Sequence, residues 1–244
     1  MEQNSEILKD KKVIIIGGSA GIGLAIAQSA ATKGAVVIIV SSNQKRIQAA
    51  LEILPSHVKG IMVNANDEQQ IKNLFEQVGA FDHLVYTAGE NLKLGEITSI
   101  ELEDAKQFFN IRYWGAFTAV KYAAPYISKD GSVVLTSGIA SNRPLKGWSL
   151  GASICSAMEG FARAMAMELA PVRVNIVSPG IVKTELWSDM PDAERENLYA
   201  QTATALPVKK VGEAEDIAKT YVYLMEQTYS TGQTIIVDGG ASFV

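Results

Sequence analysis

Three glycines, Gly17, Gly21 and Gly23, stand between the branched apolar run Val13-Ile14-Ile15-Ile16 and a helix-forming run that begins at Leu24. A strand that turns through glycines into a helix presents unpaired backbone N–H groups, and the positive end of the helix dipole, to a bound pyrophosphate. Glycine suits such a turn because a Cβ would block it and hold the phosphates away. The spacing is Gly-x3-Gly-x-Gly, which departs from the Gly-x-Gly-x2-Gly of the standard dinucleotide fingerprint. A second candidate for chemistry is Ser137, at the carboxyl end of the strand-like run 131–136. Ligands of open α/β sheets bind at that end of the strands. A third is Ser41-Ser42-Asn43, where the second strand-like run stops, with Lys45 and Arg46 close behind. An acid there would hold an adenosine ribose and repel a 2′-phosphate. With no acid present, two hydroxyls and a guanidinium are free to accept that phosphate.

The elements that must position these residues are legible from periodicity. Apolar runs at 13–16, 35–40, 60–67, 81–86, 131–136, 172–178 and 231–237 alternate with helix-like runs from one end of the chain to the other. That alternation predicts an α/β fold: a single-domain, Rossmann-type, doubly wound parallel sheet of about seven strands spanning residues 1–244. A long helical pattern covers residues 100–126, and Met158, Phe161, Ala162, Met165 and Leu169 share one face of a helix over 155–169. His83 lies inside a strand pattern and reads as structural.

Bulk properties exclude several classes. The 244 residues are 48% hydrophobic, enough for one large core, and the net charge is −4 without a basic block. Nucleic acid and anionic membranes are therefore not expected partners. One cysteine, Cys155, and two histidines, His57 and His83, give no disulfide and no cluster with metal-ligand spacing, so no metal is expected. Residues 1–6 are polar and unlike a secretory signal. The longest aliphatic run, 35–40, is too short for a bilayer. These features lead to the expectation of a soluble, cytoplasmic protein.

The glycine turn, Ala88-Gly89, Asn110, Ser137, Pro179-Gly180 with Thr184 at its spacing, and the run 231–240 together resemble the short-chain dehydrogenase/reductase family over about residues 8–240. The resemblance implies hydride transfer between a nicotinamide dinucleotide and a carbonyl, alcohol or activated alkene carbon of a small-molecule substrate. It implies cofactor contacts at Gly17, Ser19, Gly21, Ile22 and Gly23 in the turn and at Ser41, Ser42 and Asn43 beside the adenosine. It extends them to Asn64, Ala65, Ala88 and Gly89, and to Pro179, Gly180, Val182 and Thr184 on the nicotinamide side. Ser137 would bind the substrate oxygen, and Asn110 would sit at a helix distortion and hold a relay water. NADP(H) is favoured over NAD(H), although Ala20 stands where NADP-preferring relatives often carry a base. The segment 185–206, with Trp187, Met190 and Tyr199, corresponds to a substrate lid, and a homo-oligomer, tetramer or dimer, is implied through helices 100–126 and 155–169.

One element of the family pattern is replaced. Its members carry Tyr-x3-Lys on a helix, where one turn brings the ammonium beside the phenol and helps it exchange a proton with substrate. Here the matching positions are Gly151 and Cys155, and no tyrosine of this chain is followed by lysine four residues on. Tyr122 and Lys129 have a wider spacing, but Pro125 interrupts them. Tyr86, Tyr113, Arg112, Lys146 and Ser137 remain as replacement donors. Two functions are compatible with this pattern: an oxidoreductase with a substituted active site, suited to an acceptor already activated such as an enone, or a non-catalytic dinucleotide binder acting as a sensor or structural subunit.

Overall fold

A computed structural model describes residues 7–92 and 94–244; the polar stretch 1–6 and Lys93 lie outside the described residues. The first apolar run forms β1 (Lys12–Ile16), and the glycine turn leads into α1 (Gly21–Thr32). Next come β2 (Val36–Ser41), α2 (Gln44–Ile53), β3 (Lys59–Met62), α3 (Glu68–Val78) and β4 (Phe81–Tyr86). The second half runs α4 (Leu102–Phe109), α5 (Ala116–Ala123), β5 (Ile127–Thr136), α6 (Ser149–Glu168) and β6 (Arg173–Pro179). It ends with β7 (Val182–Lys183), α7 (Asp192–Ala205), β8 (Gly212–Glu213), α8 (Ala214–Glu226) and β9 (Thr234–Val237).

Seven strands form one parallel sheet in the order β3-β2-β1-β4-β5-β6-β9, and β7 pairs with β8 apart from it. The chain winds outward from β1 to β3, then crosses back to β4 and continues the other way. The switch point therefore lies between β1 and β4, and a crevice opens there at the carboxyl ends of the strands. Both sheet faces are covered, which is why the strands read as continuous apolar runs. In β1, Ile14 and Ile16 join Phe75, Leu84, Val133 and Met158 on one face. Val13 and Ile15 join Ile26, Ile39, Val134 and Tyr221 on the other.

Several boundaries differ from the sequence pattern. The helical run over 100–126 is not continuous: α4 ends at Phe109, and a π-helical stretch, Asn110–Gly115, precedes α5. α6 begins at Ser149, a turn and a half before Cys155, so Gly151 and Cys155 are both helical. Three helices are capped by their own side chains. Asn43 and Asp67 accept from the N–H groups of Arg46 and Gln70, and Glu213 with Asp216 forms a capping box on α8. Buried His83 on β4 sits with Nδ1 2.9 Å from Ser132 Oγ on β5. Among the described residues no helix is long and apolar enough to cross a membrane, and no group of three or more His, Cys, Asp or Glu side chains could hold a metal ion.

Candidate active site

The crevice is a cleft of about 330 Å³. Its floor is the glycine turn. Gly17 has φ +92°, and a Cβ there would lie 2.5 Å from the backbone nitrogen of Ala88. At Gly23 a Cβ would lie 2.2 Å from the Gly17 carbonyl oxygen. The turn is thus pressed against the exit of β4, where the Thr87 hydroxyl donates to the carbonyls of Ile16 and Gly17, each at 3.3 Å. The N-terminus of α1 has no side-chain cap and no acid in its first turn. Its open N–H groups and positive dipole face a cleft lined by Ser19, Ala20, Gly21, Ile22 and Gly23. Thr184 arches over the same turn, within 3.4 Å of where a Gly21 Cβ would stand. This cradle fits a pyrophosphate.

The adenosine end is built by the exits of β2 and β3. Ser41, Ser42 and Arg46 line it with Val63, Asn64 and Ala65. Arg46 Nη2 also lies 3.3 Å from Glu185 Oε2, a pair more than half exposed on both sides. Asn43 does not line the cleft. Its side chain caps α2, accepting from the Arg46 N–H at 3.1 Å. On the opposite wall, Ala88, Gly89, Pro179, Gly180, Val182 and Thr184 all line the cleft. Gly180 is required by close packing, since a Cβ would lie 2.9 Å from Asp238 Cα.

The expected catalytic pair is not brought together. Asn110 opens the π-helical stretch, but its side chain is exposed on the outer face with Lys106, Phe109 and Trp114, away from the cleft. The π turn takes more residues per turn than an α-helix and so rotates the residues after it. As a result Ile111 and Arg112 face inward instead. Ser137 does line the cleft at the end of β5, but its hydroxyl donates to Glu159 Oε1 at 2.8 Å. The Ser141 hydroxyl donates to the same oxygen at 2.6 Å, so buried Glu159 draws two protons toward α6. Gly138, next in the chain, turns its bare Cα toward Cys155: a Cβ there would lie 3.3 Å from Cys155 Sγ.

Gly151 and Cys155 line the cleft one helical turn apart on α6. Burial pushes the Cys155 thiol up, against the pull of the Ser137 hydroxyl and the Arg112 guanidinium, so it is a weak S–H donor rather than a thiolate. Of the other replacement donors, Tyr86 is fully buried and donates to the Ile111 carbonyl, and burial raises its pKa further. Tyr113 packs against Trp114 and Phe161, and exposed Lys146 pairs with Glu96. Arg112 alone among the four new donors lines the cleft.

The segment after Thr184 covers the mouth. Leu186 and Trp187 line the cleft, and Trp187 packs with Tyr199, Val211, Leu92 and Trp148. Trp187 Nε1 donates to the Val182 carbonyl at 3.0 Å, and Asn91 Nδ2 donates to Ser188 Oγ at 3.1 Å across the mouth.

Known proteins match this arrangement along nearly the whole chain. A family model described as enoyl-(acyl carrier protein) reductase matches residues 17–242. A short-chain dehydrogenase/reductase of Acremonium sp. is 33% identical, with 98% of each chain covered. A crystal structure of a small-chain dehydrogenase in complex with NADPH aligns with a TM-score of 0.83 at 34% identity, covering 97% of this chain and 100% of that one. The reductase/Diels-Alderase MalC of Malbranchea aurantiaca aligns with a TM-score of 0.91 at 29% identity over 98% of each chain. With a glycine turn at the switch point of a seven-stranded parallel sheet and such relatives over its length, the chain belongs to the short-chain dehydrogenase/reductase family.

Proposed function

We propose that this protein is an NADP(H)-preferring oxidoreductase whose active site carries Gly151 and Cys155 in place of the family's tyrosine and lysine. The observation that carries this reading is the uncapped, glycine-built N-terminus of α1 opening into the cleft that Gly151 and Cys155 line. Ser19, Gly21, Ile22 and Gly23 offer backbone N–H groups to the pyrophosphate, while Gly17, its N–H given to the Val40 carbonyl, lets the turn pass close beneath it. Asn64 and Ala65 border the adenine, Ala88 and Gly89 the nicotinamide ribose, and Pro179, Gly180, Val182 and Thr184 the nicotinamide. When bound, the dinucleotide supplies or accepts the hydride. The chain's own residues shape the substrate end, where Leu92, Leu94, Ile139, Trp148 and Trp187 give apolar walls. Segment 185–206 acts as the lid over that end. The substrate is a small, largely apolar molecule whose acceptor carbon is already activated, as in an enone, because no phenol–ammonium pair is present to protonate a carbonyl oxygen.

NADP(H) preference rests on Ser41, Ser42 and Arg46 at the adenosine end, with no acid at the exit of β2; the 2′-phosphate would take Arg46 from its exposed pair with Glu185. Replacing Arg46 with alanine removes a bidentate phosphate donor. The expected result is NADPH affinity lowered about tenfold, worth about 1.4 kcal/mol, with NADH affinity changed less than about twofold. Calorimetric titration of both cofactors checks this, and equal losses for the two would assign Arg46 no role in selection. A second reading is a non-catalytic dinucleotide binder, and the Ser137 hydroxyl committed to Glu159 favours it. Tight NADPH binding with no turnover of enones, ketones or aldehydes would select that reading. Exposed Trp114, Phe117 and Met167 on the π-helical stretch, α5 and α6 also suit a homo-oligomer. Light scattering that returns a monomer mass would reject it.

A further inference from the structure

Among the described residues, the substrate end of the cleft has apolar walls and one cation. Among the described residues three charged side chains line the cleft, Arg46, Arg112 and Glu185, and the first and last pair with each other at the adenosine end. Arg112 is the one described charge at the other. Its guanidinium lies flat on the exit of β4, where a Cβ at Gly89 would be 2.8 Å from Cζ and from Nη1. A side chain at Gly89 would push this guanidinium aside. The Phe108 ring supports the guanidinium from 5.2 Å, and Nη2 donates to the Glu90 carbonyl. Nε is buried and has no hydrogen-bond partner.

Arg112 is half-buried, its Nε fully so, and among the described residues no carboxylate pairs with it; such a guanidinium is costly unless a ligand answers it. Burial pulls the Arg112 pKa down, with the Cys155 thiol, Glu90 and Tyr86 acting the other way. An arginine nonetheless stays charged at neutral pH. The other polar groups nearby do not compete for an anion. Ser137 gives its proton to Glu159, Cys155 holds its own, and Gly138 and Gly151 have no side chain to offer.

We propose that Arg112 is the oxyanion anchor of the substrate site, and that the cleft takes an apolar molecule bearing one anionic oxygen group: a carboxylate, or the enolate that forms when a conjugated carbonyl is reduced. This rests on the dinucleotide reading and names the substrate chemistry of that same site. In the reduction, hydride adds to the β carbon and the alkene electron pair shifts toward the carbonyl. The negative charge collects on the oxygen facing Arg112, and a solvent proton on the α carbon completes the product as the dinucleotide is left oxidised. An enolate oxygen is a far weaker base than an alkoxide, so a guanidinium holds it without giving up a proton. The absence of a phenolic acid in this cleft then fits the chemistry.

The test is calorimetry on NADP⁺-saturated protein with two carboxylate–amide pairs, cinnamate with cinnamamide and trans-2-octenoate with trans-2-octenamide. In wild type at least one carboxylate binds tenfold or more tighter than its amide. In Arg112→Gln that preference is lost while amide and NADP⁺ affinities stay within about twofold, and Arg112→Lys keeps part of it. A merely structural arginine would instead lower Tm and leave the contrast intact. The proposal is overturned if neither pair shows a preference in wild type, or if Arg112→Gln keeps it. If wild type binds no NADP⁺, the dinucleotide reading falls, and the same contrast on the bare protein still decides the role of Arg112.

Discussion

Valine at Gly23 is expected to lower NADPH affinity by at least about 100-fold, close to 2.7 kcal/mol, while the sheet stays folded. The argument is steric before it is electrostatic. A Cβ at this position would lie 2.2 Å from the Gly17 carbonyl oxygen and 2.6 Å from the Thr87 hydroxyl oxygen. Both are held: Thr87 by its bonds to the turn, and Gly17 by its N–H donating to the Val40 carbonyl at 2.8 Å. The turn must therefore lift away from β4, and the N–H groups of the first α1 turn lose their aim at a pyrophosphate. Gly160→Ala is the control. It lies within α6, where the nearest neighbour of a new Cβ is the tip of the Arg163 side chain at 4.0 Å. Alanine there should raise stability by about 0.5–1 kcal/mol through helix propensity and leave NADPH binding unchanged. Circular dichroism and a cofactor titration on both variants separate a damaged site from a damaged fold. Gly23→Val binding NADPH like wild type would remove the glycine turn from the cofactor site.

The same turn explains what the sequence makes legible. A close backbone approach can be met only by glycine, so Gly17, Gly21 and Gly23 announce themselves wherever they fall. Strands buried on both faces are mostly apolar, so β1 and β2 are readable as runs, and β4 and β6 remain readable around buried His83, Arg173, Asn175 and Ser178. Side-chain direction is another matter. Asn110 and Arg112 sit two residues apart, and which of them faces the cleft is set by a π turn that no 3.6-residue period encodes. Asn43 carries a local signal that points away from the cofactor: it stands directly before α2, where an asparagine serves as an N-cap. Ser137 stands in the expected place, but its hydroxyl direction depends on Glu159, twenty-two residues on along α6. That contact exists only once the helix is packed. Arg112 is, in sequence, one donor among five, and only tertiary placement removes Tyr86, Tyr113 and Lys146 from the cleft.

Acid is expected to destabilise this protein in two stages, the first of them set by His83. The imidazole is buried between β4 and β5, and burial lowers its pKa from 6.5 to about 4, against the opposing pull of Asp82 and reinforced by Arg173 and Lys11. The folded state thus binds fewer protons at this site than the unfolded chain between pH 6.5 and about 4. Stability must fall as pH drops through that window, approaching a loss of about 3 kcal/mol at its lower end. Carboxylates act later. Asp82 is pushed up by burial but held below its ordinary value by the Lys12 N–H and the Lys11 ammonium, and its contribution is lost only as pH falls through that depressed pKa. Urea unfolding between pH 7 and 4 reads the first stage directly. His83→Asn keeps a polar atom near Ser132 Oγ but cannot take up a proton. It should start less stable at pH 7, yet lose the decline between pH 6.5 and 4.5 that wild type shows. Parallel declines in the two proteins would mean that His83 is protonated at little cost in the fold, and the acid sensitivity would then belong to the carboxylates alone.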